Sequence, residues 1–442
     1  MTGRRRRSFA VPLGCVLIGT GLLLSGRALE ATIFPSGTIV GTIRRAPALM
    51  TFRIALAGLG AYLLATRPRI TSVHLTAWAV AVGVASLAGA MVLQLVYVPA
   101  PIQSGWRAFA PRNEQNELGF RGRPIKYSDT DYVVVMLGDS QVEGYGLNFD
   151  AMPERFLEAR LDHLGKRAKV FSIGAGGYGQ DQELLALREY FTKHRADLVV
   201  LWQSPTNDIW NNVFNTHMAS RNPKPTFWLD ESGKLRGPSE SLGEPLANSR
   251  LALVALFQRA FSLPWRDKSW ERGLPEPYQP LDRYDGPVRT DWQDLWNTDL
   301  RVRYEELDTE KSHFAIMLTP RSKRMQYGLD LTRALTQHIR DVVVAHQAAF
   351  VVFQTNSHDI LDDSEQVYIL NNKYYRTSQR QYQANWNYVN EGLAVEIVPV
   401  TVTPWRLAPD DGHLNATAAE QVMADLADRL QSRHGRAIND RR

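Results

Sequence analysis

The chain has 442 residues, 44% of them hydrophobic, a formal net charge of +5 and a single cysteine, Cys15. That much apolar content can bury a large core, and one cysteine excludes an intramolecular disulfide or a thiolate metal cluster. The arginines gather at the two ends, in Arg4 to Arg7 and in Arg436, Arg441 and Arg442. With no basic stripe through the body, binding to nucleic acid is excluded as the organising activity.

Three apolar stretches occupy the front of the chain: Phe9 to Gly26, Pro47 to Ala65 with Arg53 as its one charge, and Val73 to Val98. Each comes near the roughly 20 residues that a bilayer requires, so three membrane spans are expected, near 9–26, 47–65 and 73–98. A cleaved signal peptide would account for the first stretch alone. Cys15, inside that stretch, reads as a small buried side chain. With the amino terminus inside, Arg4 to Arg7, Arg67 and Arg69 are cytoplasmic, whereas Arg27, Arg44 and Arg45 lie outside. This bias sends the rest of the chain across the membrane, into the periplasm of a bacterium. Pro99, Pro101 and Gly105 read as a linker, with Trp106 and Phe109 as anchors at the interface. The expected organisation is an anchor over 1–105, a soluble domain over 106–435 with an insertion near 209–312, and a basic tail over 436–442.

From Tyr132 onward, strands and helices alternate as in a parallel sheet, which makes the soluble domain α/β. The apolar run Tyr132 to Leu137 ends in Gly138, Asp139 and Ser140. A helix is expected near 152–164, with Asp150 as its cap. A second strand, Lys169 to Ile173, ends in a glycine-rich turn from Gly174 to Gly179, and a third, Leu198 to Trp202, ends in Gln203 to Asp208. Buried parallel strands present their sites at their carboxyl ends, so these three polar turns are where chemistry is expected. Beyond an irregular middle with a helix at Leu251 to Phe261, further strands are expected at His313 to Leu318, Phe350 to Phe353 and Val395 to Val400. Helices are expected over Leu329 to Ala345 and over Tyr374 to Tyr388. Thr417 with Glu420 reads as a capping box for a last helix. The tryptophans concentrated in the middle of the chain read as packing residues first and as ligand-stacking residues second.

A serine nucleophile needs a base, and the base needs an orienting partner. Ser140 is the candidate nucleophile and His413 the candidate base, with Asp410, three positions earlier in a tight turn, as its partner. His358 beside Asp359 is the rival, but adjacent side chains in an extended segment point apart. Donors for an oxyanion are the backbone N–H of Ser140, the backbone N–H of Gly177 and the side-chain amide of Asn207, one from each turn.

These residues carry a family resemblance. Gly138-Asp139-Ser140, Gly177, Asn207-Asp208 and Asp410 through His413 resemble the four blocks of the SGNH (GDSL-type) serine hydrolases, over about residues 113–432. Asn116 to Arg121 is similar to a lead-in of membrane-anchored or exported members. The resemblance implies a flavodoxin-like three-layer α/β/α sandwich with a mostly parallel sheet, a Ser140–His413–Asp410 triad, and an oxyanion hole of Ser140, Gly177 and Asn207. Asp139 is then a structural neighbour of the nucleophile. One departure stands out: Pro205 occupies the position where the third block usually has glycine, so that loop approaches substrate differently.

The expected activity is that of a membrane-anchored periplasmic serine esterase acting on O-acyl groups, O-acetyl first, of an envelope glycan. No cofactor and no metal is expected, and no nucleic acid. The alternatives are O-acyl transfer onto an exported polysaccharide with a membrane acyltransferase as partner, a lipid esterase, and a catalytically inactive glycan-binding scaffold.

Overall fold

The computed structural model describes residues 8–23, 46–96, 113–164, 167–215, 224–239, 273–289, 307–357, 365–370, 373–408 and 411–439. They fall into two compact units, one within the first hundred residues and one from residue 113 onward.

The first unit is three helices: α1 Ala10–Leu23, α2 Ala46–Thr66 and α3 Ser72–Val96. Helices α1 and α2 touch backbone to backbone through small residues. A Cβ built on Gly60 would stand 2.7 Å from the Gly14 carbonyl oxygen, a separation that only glycine allows. Arg53, the one charge of α2, donates from Nε to the Gly21 carbonyl at 2.9 Å. The expected three spans are corrected to one. Among the described residues only Ser72–Val92 is long and apolar enough to cross a membrane, at mean hydropathy 1.9 with none of its window buried. The apolar parts of the other two helices, Ala10–Leu22 and Met50–Thr66, fall short of a bilayer's thickness. Cys15 is exposed rather than buried.

The second unit is built on a five-stranded parallel sheet: β1 Tyr132–Gly138, β2 Ala168–Gly174, β3 Leu198–Trp202, β4 Ala349–Ser357 and β5 Val395–Val400. The spatial order is β2-β1-β3-β4-β5. This is a doubly wound arrangement whose switch point lies beside β1. Both faces are buried, which explains why β1 reads as a continuous apolar run rather than an alternating one. Val133, Val135 and Leu137 pack on one side under α6 Gln180–Phe191 and α8 Lys323–Ala345. Helix α8 contributes a stripe of Leu331, Leu335, Ile339 and Val343 at four-residue spacing. Val134 and Met136 pack on the other side under α5 Pro153–His163 and α10 Ala416–Asn439, against Leu157, Leu161, Val422, Leu426 and Leu430. Truncating one of these fully buried leucines to alanine costs about 2–5 kcal/mol.

Several expectations change. His313 to Leu318 is not a strand; it holds a 3-10 turn at Ala315–Met317, and Leu318 makes only an isolated bridge to Thr377. Its apolar residues are buried in a separate cluster with Tyr368, Tyr375 and Trp386, so burial without sheet pairing produced the apolar run. Tyr374 to Tyr388 divides into a strand, Lys373–Thr377, paired with Gln366–Leu370 in a hairpin, and helix α9 Gln379–Val389. Tyr374, Tyr375 and Thr377 favour that strand. Helix α5 starts at Pro153 after Met152 with no side-chain cap, so Asp150 does not cap it. Helix α10 is capped by Asn415, whose Oδ1 accepts the Ala418 N–H at 2.9 Å, rather than by Thr417. The helix expected at Leu251 to Phe261 lies outside the described residues.

Candidate active site

Ser140, the candidate nucleophile, is delivered by β1, which is paired on both edges by β2 and β3. Gly138 ends the strand where nothing larger fits. A Cβ there would lie 2.6 Å from Val142 Cγ2 and 2.9 Å from the Trp202 carbonyl oxygen. Helix α4, Ser140–Glu143, follows at once and stops at Gly144, which is left-handed at φ 64° as helix ends often are. Asp139 caps α4, its Oδ1 accepting the Gln141 N–H at 2.9 Å. Its other oxygen accepts from Asn207 Nδ2 at 2.9 Å. Asp139 therefore ties the first strand-end turn to the third. The lead-in segment braces the same turn from outside. Arg121 donates to the carbonyls of Gly144 at 2.6 Å and Leu147 at 2.8 Å, and pairs with Glu114 at 2.7 Å.

His413 arrives on a short antiparallel hairpin of β6 Arg406–Ala408 and β7 Asp411–Leu414. Its Nε2 stands 2.8 Å from Ser140 Oγ. Its Nδ1 stands 2.5 Å from Asp411 Oδ1. An ionised carboxylate only accepts, so the Nδ1 proton points to Asp411 and the Nε2 lone pair faces the serine hydroxyl. The carboxylate that stands at the imidazole is thus Asp411; Asp410, expected there from the sequence, lies outside the described residues, as do His358 and Asp359. The contact with Asp411 follows from strand geometry. Residues 411–414 are extended, and side chains two apart share a face of a strand.

The other strand ends converge on this edge. After β2, the Tyr178 N–H bonds to the Ala175 carbonyl at 3.1 Å and Gly177 takes φ 74°, the signature of a type II turn with glycine at its third position. After β3, Asn207 precedes helix α7 Asp208–Val213. The order β2-β1-β3 therefore places Gly177, Ser140 and Asn207 on three adjacent strand ends. Asn207 Nδ2 has two hydrogens, and Asp139 takes one.

Beneath the third turn lies a buried polar layer. Asp208 Oδ2 accepts from Gln180 Nε2 at 2.5 Å and from the Ser204 N–H at 3.0 Å. Burial, and then repulsion from neighbouring carboxylates, holds the carboxyls of Asp208 and Glu183 well above the usual carboxylate range. Both retain their protons where exposed acids have lost theirs. Lys224 pairs with Asp181 at 2.5 Å in the same layer, both fully buried. This network locks α6 to α7 and the turn between them and β3.

Two features flank the Ser140–His413–Asp411 chain of contacts. Tyr145, 52% exposed, lies over the imidazole of His413 with ring centroids 4.7 Å apart. Pro205 and Thr206 open onto a narrow cleft lined by Ile209, Trp210, Phe214 and Met325, with Glu310 and Arg324 also on its wall. Pro205 is therefore part of the cleft surface beside Asn207. Glu310 is held by Ser322 Oγ at 2.7 Å, and burial pushes its carboxyl up to about 7. Among the described residues, no group of three His, Cys, Asp or Glu side chains could hold a metal ion.

Sequence reasoning missed Asp411, Arg121, Tyr145 and Glu143. Asp411 was legible only as the i−2 neighbour of His413 in an extended segment. Arg121 sits inside the lead-in run, but its targets are backbone carbonyls, which leave no trace in composition.

No protein-family model matches the sequence, and no curated protein does. Solved structures with a related arrangement include a psychrotrophic esterase from Pseudoalteromonas sp., 10% identical, with TM-score 0.31 over 69% of this chain and 100% of that one. A putative arylesterase from Agrobacterium tumefaciens is 13% identical, with TM-score 0.30 over 68% and 99%. An acetyl xylan esterase from the rumen bacterium Butyrivibrio proteoclasticus is 9% identical, with TM-score 0.31 over 71% and 66%. Likeness at this level assigns no chemistry, which rests on the geometry above.

Proposed function

We propose that the protein is a serine ester hydrolase of the SGNH type, acting on an O-acyl group, O-acetyl first, of an envelope glycan. The observation that carries this reading is the continuous path from Ser140 Oγ through both nitrogens of His413 to Asp411, at 2.8 and 2.5 Å.

The chemistry follows from the contacts. Ser140 Oγ attacks the ester carbonyl carbon while His413 Nε2 takes the hydroxyl proton, and Asp411 stabilises the imidazolium that results. The carbonyl oxygen becomes an oxyanion and receives the N–H of Ser140, the N–H of Gly177 and the free amide hydrogen of Asn207. Collapse of the tetrahedral adduct breaks the bond to the alcohol, which leaves with the proton from His413. Water, deprotonated by the same nitrogen, then attacks the acyl-serine, and the carboxylic acid departs. The side chains of His413 and Asp411 are each 26% exposed, so water reaches the base, which favours hydrolysis over transfer to another hydroxyl.

The half-exposed ring of Tyr145 supports a sugar as the alcohol, since an aromatic face beside the base can stack on a pyranose. The one helix of spanning length among the described residues supports membrane attachment, and the arginine bias supports a periplasmic active site.

Fluorophosphonate labelling of the full-length protein tests the reaction class. Labelling at Ser140 that is lost in Ser140→Ala is expected, with a fall in esterase turnover of at least about 10³-fold; an unlabelled, folded wild type would overturn the proposal. Acetate release from an acetylated oligosaccharide tests the substrate. A carboxyl-terminal reporter active in the cytoplasm would refute the topology.

A further inference from the structure

Helix α4 carries Ser140 at its first position and Glu143 at its last. One turn apart on the same element, these side chains face different partners: Ser140 meets His413, whereas Glu143 Oε2 accepts the backbone N–H of Gly176 at 2.7 Å. Gly176 and Gly177 are the central pair of the turn after β2, so their shared peptide presents the Gly177 N–H. A Cβ built on Gly176 would stand 3.2 Å from the same Glu143 oxygen and 3.9 Å from Ser140 Cβ, which places the start of this turn beside Ser140. Arg121 holds the carbonyls that follow Glu143, so the end of α4 is fixed from the other side.

We propose that Glu143 is the positioning residue of the oxyanion site: its carboxylate fixes the Ala175–Gly176 peptide to the nucleophile helix, and this anchors the start of the next peptide, so that the Gly177 N–H is held ready for the oxyanion. This inference rests on the ester-hydrolase reading. Occupation of the Gly176 N–H has two consequences. It removes the competing donor of the turn, and it sets the rotation of the peptide plane on which the direction of the next N–H depends. A charge-assisted bond to a carboxylate is about twice as strong as a neutral one, and burial against Gly176 shields it from water. Because the oxyanion exists only in the transition state, loss of this tether lowers kcat and leaves KM nearly unchanged.

The test compares Glu143→Gln, Glu143→Leu and Gly176→Ala in the full-length protein, with p-nitrophenyl acetate as substrate and thermal unfolding as the fold control. Glutamine keeps an acceptor oxygen and is expected to retain kcat within about tenfold. Leucine keeps the bulk without the acceptor and is expected to lose about 10²- to 10³-fold in kcat, the cost of one oxyanion donor, with KM within about twofold. The Gly176→Ala methyl, 3.2 Å from Oε2, displaces the carboxylate from the turn side and is expected to give the same kcat loss even where the leucine variant fails to fold. Leucine or alanine variants with kcat within threefold of wild type would overturn the proposal. So would a glutamine variant as impaired as leucine, since that would assign Glu143 a proton-transfer role. A wild type that neither turns over the ester nor labels at Ser140 would instead sink the hydrolase reading itself.

Discussion

Ser140 and His413 are held by opposite means. The turn from Gly138 to Gly144 is embedded in the sheet. Val142 is fully buried, Asp139 bonds to both α4 and Asn207, and Arg121 clamps the carbonyls beyond. The hairpin from Arg406 to Leu414 is a two-stranded ribbon with a partly exposed histidine, secured where Asn415 Nδ2 donates to the Pro404 carbonyl at 2.6 Å and where Leu414 enters the core. The serine is thus positioned by the core and the histidine by local hydrogen bonds. A two-stranded ribbon is marginal on its own, so His413 is the part of the site that small changes reach first.

The sharpest way to break this contrast is to remove the hairpin's internal carboxylate. Asp411→Asn is expected to cut kcat by about 10³- to 10⁴-fold through loss of the imidazole's orientation, while Asp410→Asn stays within about threefold. Equal losses in the two variants would refute the assignment of Asp411.

A pH experiment tests the cleft beside the third turn. Burial raises the Glu310 carboxyl from 4.5 to about 7, so between those values the native state holds a proton that the unfolded chain has released. The stability this group supplies is complete below pH 4.5 and is lost as pH rises through 7. Relative to Glu310→Gln, the wild type is expected to lose up to about 3 kcal/mol across that window, read from urea midpoints. Parallel pH profiles would contradict this.

Gly138→Ala challenges the embedded turn directly. Its methyl meets Val142 and a backbone oxygen, so a loss of about 1–3 kcal/mol in unfolding free energy is expected. Asn415→Ala challenges the hairpin. Loss of a helix cap costs about 1 kcal/mol, and because the same side chain ties Pro404, kcat is expected to fall more than stability does. If Gly138→Ala spared the fold while Asn415→Ala destroyed it, the contrast drawn between the two regions would be reversed.

The strand ends were legible because buried parallel strands write themselves as apolar runs that stop abruptly, as at Leu137, Ile173 and Trp202. The helix faces of α8 and α10 were legible from their spacing. His313 to Leu318 misled for the same reason: it has the apolar density of a strand, but it buries that surface against tyrosines and Trp386 without a pairing partner. Hydrophobicity records that a segment is buried and not what it is buried against.

Sequence by itself determined the parallel α/β body, Ser140 at the end of its first strand, and His413 near the end of the chain as the base to look for, because each is a local pattern of burial or turn chemistry. Only the tertiary structure decided that Asp411 stands at His413 and that Arg121 and Glu143 brace the helix that carries Ser140. Each of these depends on which face a side chain takes, or on a backbone group far away in sequence, and neither is written in residue type.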